Sequence, residues 1–232
     1  MKSSADAKYI RIHRFLAAQS FYPILLSTVL ACGFYLFRVF YSYNLYYKNL
    51  IWNLFLAWLP YGCSILAAYL YRLHPARSWI LLFPGALWLI FFPNAPYMVT
   101  DFYHLQHRPP VPLWYDIGLI AAFAWTGCFL AVASLRTMQS LVQEFFGRIA
   151  GWLFVVMTLA GSGVGVYLGR FRRFNSWDLL LHPRMVLGDL AISLTDPSQS
   201  LRFIGFCFMF TAILFVFYWM FRSMRPERQK GE

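Results

Sequence analysis

Charge is scarce in this chain, and acid is scarcer still: 12% of the residues are charged, with nine Asp and Glu against twenty Lys and Arg. So little charge excludes an ordinary soluble domain, which takes about a quarter of its residues as charged. Four cysteines, Cys32, Cys63, Cys128 and Cys207, sit each in a separate apolar run. Buried, scattered thiols of this kind form neither a disulfide framework nor metal-ligand spacing. There is no HExxH, no phosphate-cradling P-loop, no Rossmann fingerprint and no serine nucleophile elbow, so the familiar zinc-hydrolase, nucleotide and esterase signatures are missing. Internal repeats and low-complexity segments are absent as well. The formal charge of +11 is carried by residues in the gaps between apolar runs, never by one long basic face. That distribution speaks for topology signals and lipid-headgroup contacts, and against nucleic acid as a partner.

What is abundant is apolar sequence, at 60% of 232 residues. A helix needs roughly 20 apolar residues to cross a hydrocarbon core of about 30 Å, so this length allows about six spans with short loops. The expected fold is an all-α polytopic membrane helix bundle, one transmembrane domain over residues 21–221 between a basic segment (1–20) and a basic tail (222–232). The spans are read at about 21–40, 50–71, 79–99, 117–135, 149–169 and 203–221. Val29-Leu30-Ala31-Cys32 loosely resembles a lipoprotein cleavage box, but the apolar run continues past Cys32, so the segment is taken as the first span.

The third run, Trp79 to Phe92, holds only 14 residues before Pro93, too few to cross alone. Either the bilayer thins there or the helix continues, interrupted, through Pro93-Asn94-Ala95-Pro96 to Val99. Irregular backbone at membrane depth needs protein or a watery cavity to satisfy it, so the break points to a cavity. Arg136 to Arg148 reads as an amphipathic connector, and Met185 to Leu194, too short to span, as an interfacial helix. Counted on alternate sides of six spans, the tails and even-numbered loops hold 12 of the Lys and Arg residues and the odd-numbered loops 8. Both termini are therefore expected in the cytoplasm, with the protein in the cell membrane. In either orientation, the segments around Asn94–Asp116 and Arg170–Asp178 emerge on one face.

Those two segments carry the chemistry-bearing residues. Gly161, Gly165 and Gly169, with Gly163 nearby, form a small-residue stripe that admits a neighbouring helix or, more sharply, a substrate groove. Arg170 and Arg173, three apart, share a face if the helix continues, while Arg172 points elsewhere; guanidinium forks bind phosphate or carboxylate, and arginines at helix ends also snorkel to headgroups. Asp101 and His104 at i, i+3, and Asp178 and His182 at i, i+4, set a carboxylate beside an imidazole. With Asp116 they offer acid/base groups or a divalent-metal site, although neither pair is a metal-specific motif and no cofactor is specified. The plainer readings are a capping role for Thr100 or Asp101, pairing of Asp178 with Arg170 or Arg173, and a turn at Asn94.

Three motifs stand out: FxPNAPYxxTDxxHL over Phe91 to Leu105, PLWYD over Pro112 to Asp116, and GxYLGRFxRFNSWD over Gly165 to Asp178. Over roughly residues 50 to 220 the chain resembles the DUF1361 group of predicted multi-pass membrane proteins. The resemblance implies a bacterial inner-membrane protein and brings no activity with it.

The leading expectation from the residues is a polar pocket at the extracytoplasmic interface. In it Asp101, His104, Asp116 and Asp178 perform acid/base work, while Asn94, Arg170, Arg173, Asn175 and Trp177 hold an anionic, lipid-linked or phosphorylated substrate. The alternative is a structural or regulatory module whose outer-loop charges form a salt-bridge network. A small transporter is the third reading, favoured by the broken helix and disfavoured by the few ionisable residues inside the other spans. Membrane lipids are the expected partners; the oligomeric state is left open.

Overall fold

In the computed structural model, residues 4–75 and 77–224 are described; Lys2 and the basic residues Arg225, Arg228 and Lys230 of the tail lie outside them. The helices run α1 (Ser4–Ala18), α2 (Phe21–Ser42), α3 (Lys48–Leu73), a 3-10 turn (Ser78–Leu81), α4 (Leu82–Phe91), α5 (Asn94–Tyr97), a 3-10 helix (Met98–His104), α6 (Leu113–Phe171), α7 (Asp178–Leu181), α8 (Pro183–Thr195) and α9 (Pro197–Ser223). Five helical stretches among the described residues are long and apolar enough to cross a membrane. The 59-residue α6 is non-helical at Gly147 and covers the residues in which the fourth and fifth spans are expected. An all-α membrane bundle results. Many of its large apolar side chains are exposed along the spans, as with Leu26, Val29, Phe37 and Phe208, since between helices in lipid it is packing and polar contact, not hydrophobicity, that selects the interior.

The chain divides into two compact units, residues up to Met138 and residues from Gln139 onward. In the first unit α3 packs along α4 and α5, with Ala57, Tyr61, Trp88, Phe92, Ala95, Met98, Ile120 and Phe123 buried between the helices. The third crossing is interrupted. Pro93 and Pro96 cannot donate to the helical ladder, the Asn94 amide donates to the Phe91 carbonyl at 2.9 Å, and the chain tightens into the 3-10 helix over Met98–His104. Residues 78–104 thus form one interrupted stretch long enough to cross. Protein packs against the break at Ala95, which is fully buried: a Cβ on Gly127 of α6 would stand 2.5 Å from the Ala95 carbonyl oxygen. Glycine is what lets α6 close over the break.

In the second unit Gly147 adopts φ 82°, a conformation open to glycine and strained for other residues. A straight helix would hold Gln143 and Gly151 about 12 Å apart along its axis, yet the Gln143 side chain sits against Gly151. Gln139 and Trp152 likewise both meet Tyr218 of α9. The chain therefore folds back at Gly147, and the connector expected over 136–148 is helical up to that residue. Further along, Gly163 admits α9: its Cβ would stand 3.0 Å from the Cys207 carbonyl, whereas one on Gly161 would meet nothing within 4 Å. Helix packing, the plainer reading of the glycine stripe, is what Gly163 serves. α8 forms as expected, packs on α9, and exposes Leu187, Ile192 and Leu194.

Candidate functional site

The polar residues of the first unit gather where α2 ends and where α3 and α6 begin. Arg38, one turn inside the end of α2, is 2% exposed, and Asp116, in the first turn of α6, is wholly buried. Their side chains meet as a fork, Nε donating to Oδ1 at 2.6 Å and Nη2 to Oδ2 at 3.1 Å. Two charges so buried are stable only if paired and well aligned. The carboxylate also lies at a helix N-terminus, where the backbone dipole favours negative charge. Beside the fork, the Arg38 guanidinium stands 4.8 Å over the Tyr47 ring.

Tyr47 joins this pair to the following loop. It occupies the left-handed backbone region at φ 64°, an uncommon position for a bulky residue, and its hydroxyl donates to the His104 carbonyl at 3.5 Å. Burial first, and the Asp116 carboxylate second, push the Tyr47 phenol above its ordinary value. Next to it, Asp101 is 3% exposed and accepts from the Asn53 amide at 3.0 and 3.3 Å. His104 is exposed at the end of the same 3-10 helix, so across the i, i+3 spacing its side chain lies at the protein surface while Asp101 faces inward. Arg108 stacks on Tyr46 at 3.4 Å.

In the second unit the GRFRRF segment ends α6. The helix stops at Phe171, and Arg173 takes a left-handed conformation at φ 60°, so Arg170 and Arg173 do not share a continuing helical face as the spacing predicts. Arg170 is half-buried in the last helical turn and engaged in interactions of its own. Arg172 is 3.0 Å from Asp189 on α8, donates to the buried Ser193 at 3.2 Å, and donates to Gln199 of α9; Gln199 in turn donates to Asp196 at 2.6 Å. Arg172 thus ties α6 to α8 and α9. Arg173 is exposed. Asp178 turns back on its own loop, accepting from the Asn175 N–H at 2.6 Å, with His182 at 4.0 Å. Trp177, half-buried, opens α7, its carbonyl accepting from Leu181.

Of the predicted site residues, then, Asn94, Asp101, His104 and Asp116 belong to the first unit, and Arg170, Arg173, Asn175, Trp177 and Asp178 to the second, and the partners just described are found within each unit. Sequence reasoning missed Arg38, Tyr47 and Asn53. The signal for Arg38 was present: a lone arginine still followed by Val39, Phe40 and Tyr41 lies inside an apolar helix, where a charge needs a buried partner. Among the described residues no three His, Cys, Asp or Glu side chains cluster to hold a metal ion.

A family model described as a protein of unknown function, DUF1361, matches residues 52–217. Asn53, Asp101, Asp116 and the whole GRFRRFNSWD segment fall within it; Arg38 and Tyr47 precede it. No curated protein and no solved structure matches the chain.

Proposed function

The chain belongs to the DUF1361 family, and from that premise we propose that it is a lipid-binding membrane module that holds an anionic, phosphate-bearing lipid at the end of α6. The observation that carries this reading is the contrast between neighbouring arginines: Arg172 is bound to Asp189, Ser193 and Gln199, whereas Arg173 is turned out, exposed, by its left-handed backbone. A guanidinium in that position suits a phosphate oxygen pair. Acid/base processing of the lipid has less support, because Asp116 is sealed against Arg38 and Asp101 lies buried against Asn53. In this proposal the 12-to-8 distribution of basic residues sets both termini in the cytoplasm and the arginine segment on the far side of the cell membrane.

Phospholipid retained by the purified protein, measured as phosphorus per chain, tests the reading. Arg173→Gln is expected to lose most of it while unfolding within about 0.5 kcal/mol of the parent, as exposed substitutions do. Arg172→Gln is expected to cost about 2 kcal/mol, the range for hydrogen bonds to a charged group. Full lipid retention by Arg173→Gln sinks the proposal.

A second reading, a structural or regulatory module, rests on the Arg38–Asp116 fork and its neighbours, which join α2, α3, the 3-10 helix and α6. Under that reading the parent retains no lipid.

A further inference from the structure

The first helix has no part in either polar cluster. α1 spans 15 residues, too few to cross a bilayer, and a break at Ser20, φ 63°, separates it from α2, whose membrane-spanning stretch begins at Phe21. Two residues of connection keep the end of α1 at the bilayer boundary, whichever way the chain is oriented.

Helical spacing gathers Tyr9, Ile12 and Leu16 on one side, with Phe15 adjoining. The protein covers the far end of this stripe. Phe15 and Leu16 are half-buried, Phe15 lying 6.2 Å from the Tyr69 ring and 4.5 Å beneath the Arg72 guanidinium. The end of the helix is held as well, since Tyr61 donates to the Gln19 carbonyl at 2.9 Å and Thr137 to the Gln19 side chain at 2.6 Å. The near end is uncovered: Tyr9 is 71% exposed and Ile12 49% exposed. Arg11 and Arg14 are exposed on the opposite, polar side of the helix, and His13 leans on Tyr22 with ring centroids 4.9 Å apart.

We propose that α1 is an in-plane membrane helix that docks its Tyr9–Ile12 stripe into the headgroup boundary of the adjoining leaflet and reads anionic phospholipid through Arg11 and Arg14. The helix is pinned at its last turn, so the protein sets its place, and the bilayer supplies the apolar cover and negative charge that the rest of the stripe needs. Exposed arginines on the polar face of a helix whose other face is apolar are the pattern of interfacial helices on anionic membranes. This site is separate from the Arg173 segment, and its test is independent of lipid retention there.

Amide hydrogen exchange of residues 9–18, in the full chain held in nanodiscs, provides that test. Exchange is expected to be roughly tenfold slower in discs of seven parts phosphatidylcholine to three parts phosphatidylglycerol than in phosphatidylcholine alone. The Arg11→Gln, Arg14→Gln double variant is expected to lose that difference, while Ile12→Asn exchanges fast in both. Exchange of α3 in the same samples reports that the bundle is intact. Equal protection of the parent in the two lipids, fast or slow, overturns the proposal, as does a lipid dependence that the double arginine variant keeps.

Discussion

Asp116→Ala is expected to destabilise the protein by about 3–5 kcal/mol, the largest effect of any single change considered, because it leaves Arg38 charged, buried and unpartnered. Arg38 is 2% exposed, and both of its donors in the fork, Nε and Nη2, lose their acceptor at once. The Tyr47 ring above it offers a π face and no counter-charge. For a chain of this length a loss of that size lowers the unfolding midpoint by on the order of 10 °C, readable by thermal scanning in detergent. The double variant Arg38→Met, Asp116→Leu removes both charges and is expected to recover much of the loss, since apolar replacement of a buried pair is often neutral. A single variant as stable as the parent would mean that water reaches the pair, and the sealed site described above would be wrong.

Gly127→Val follows, with an expected loss of about 3 kcal/mol, at the upper end of what overpacking a filled interior costs. The neighbour in the way is backbone: the Ala95 carbonyl oxygen would lie 2.5 Å from the new Cβ, with Met98 at 3.0 Å. A side chain could rotate aside, whereas the carbonyl sits in the Pro93–Pro96 break, where the two prolines restrict φ. Moving it shifts the 3-10 helix that carries Asp101 away from Asn53, so the same variant should loosen the polar cluster. Gly118→Ala is the control. Its Cβ would meet nothing within 4 Å, and replacing glycine inside a helix is expected to leave stability unchanged or raise it by up to about 1 kcal/mol. Equal effects at the two glycines would show that helix propensity, not the fit against Ala95, governs position 127.

The candidate site was legible in part. Asp101, Asp116, Asn94 and the GRFRRFNSWD segment stand out as polar groups in apolar surroundings; Asp101, Asp116, Asn94, Arg172 and Asp178 each meet a partner in the structure, whereas Arg173 is exposed. Their partners were not legible. Asp116 is 78 residues from Arg38 in sequence, and no local spacing reports a contact made across separate helices. Helical periodicity also misled at Arg173, because the helix ends two residues earlier and a left-handed residue turns the side chain away. Gln139 shows the same limit in the other unit: inside an apparent connector it is fully buried, accepting from Tyr218 and Arg222 of α9.

The sequence by itself determined the medium and the all-α class. Those follow from composition and run length, because unpaired backbone cannot sit in hydrocarbon and helix satisfies it locally. It also determined where the third crossing breaks, since proline removes a donor wherever it stands. Only the tertiary structure decided which charge neutralises which, which glycine admits a neighbouring helix, and that α6 packs against the broken crossing at Ala95. Those outcomes depend on contacts between residues far apart in the chain, where a shift of one helical position exchanges a buried partner for an exposed one.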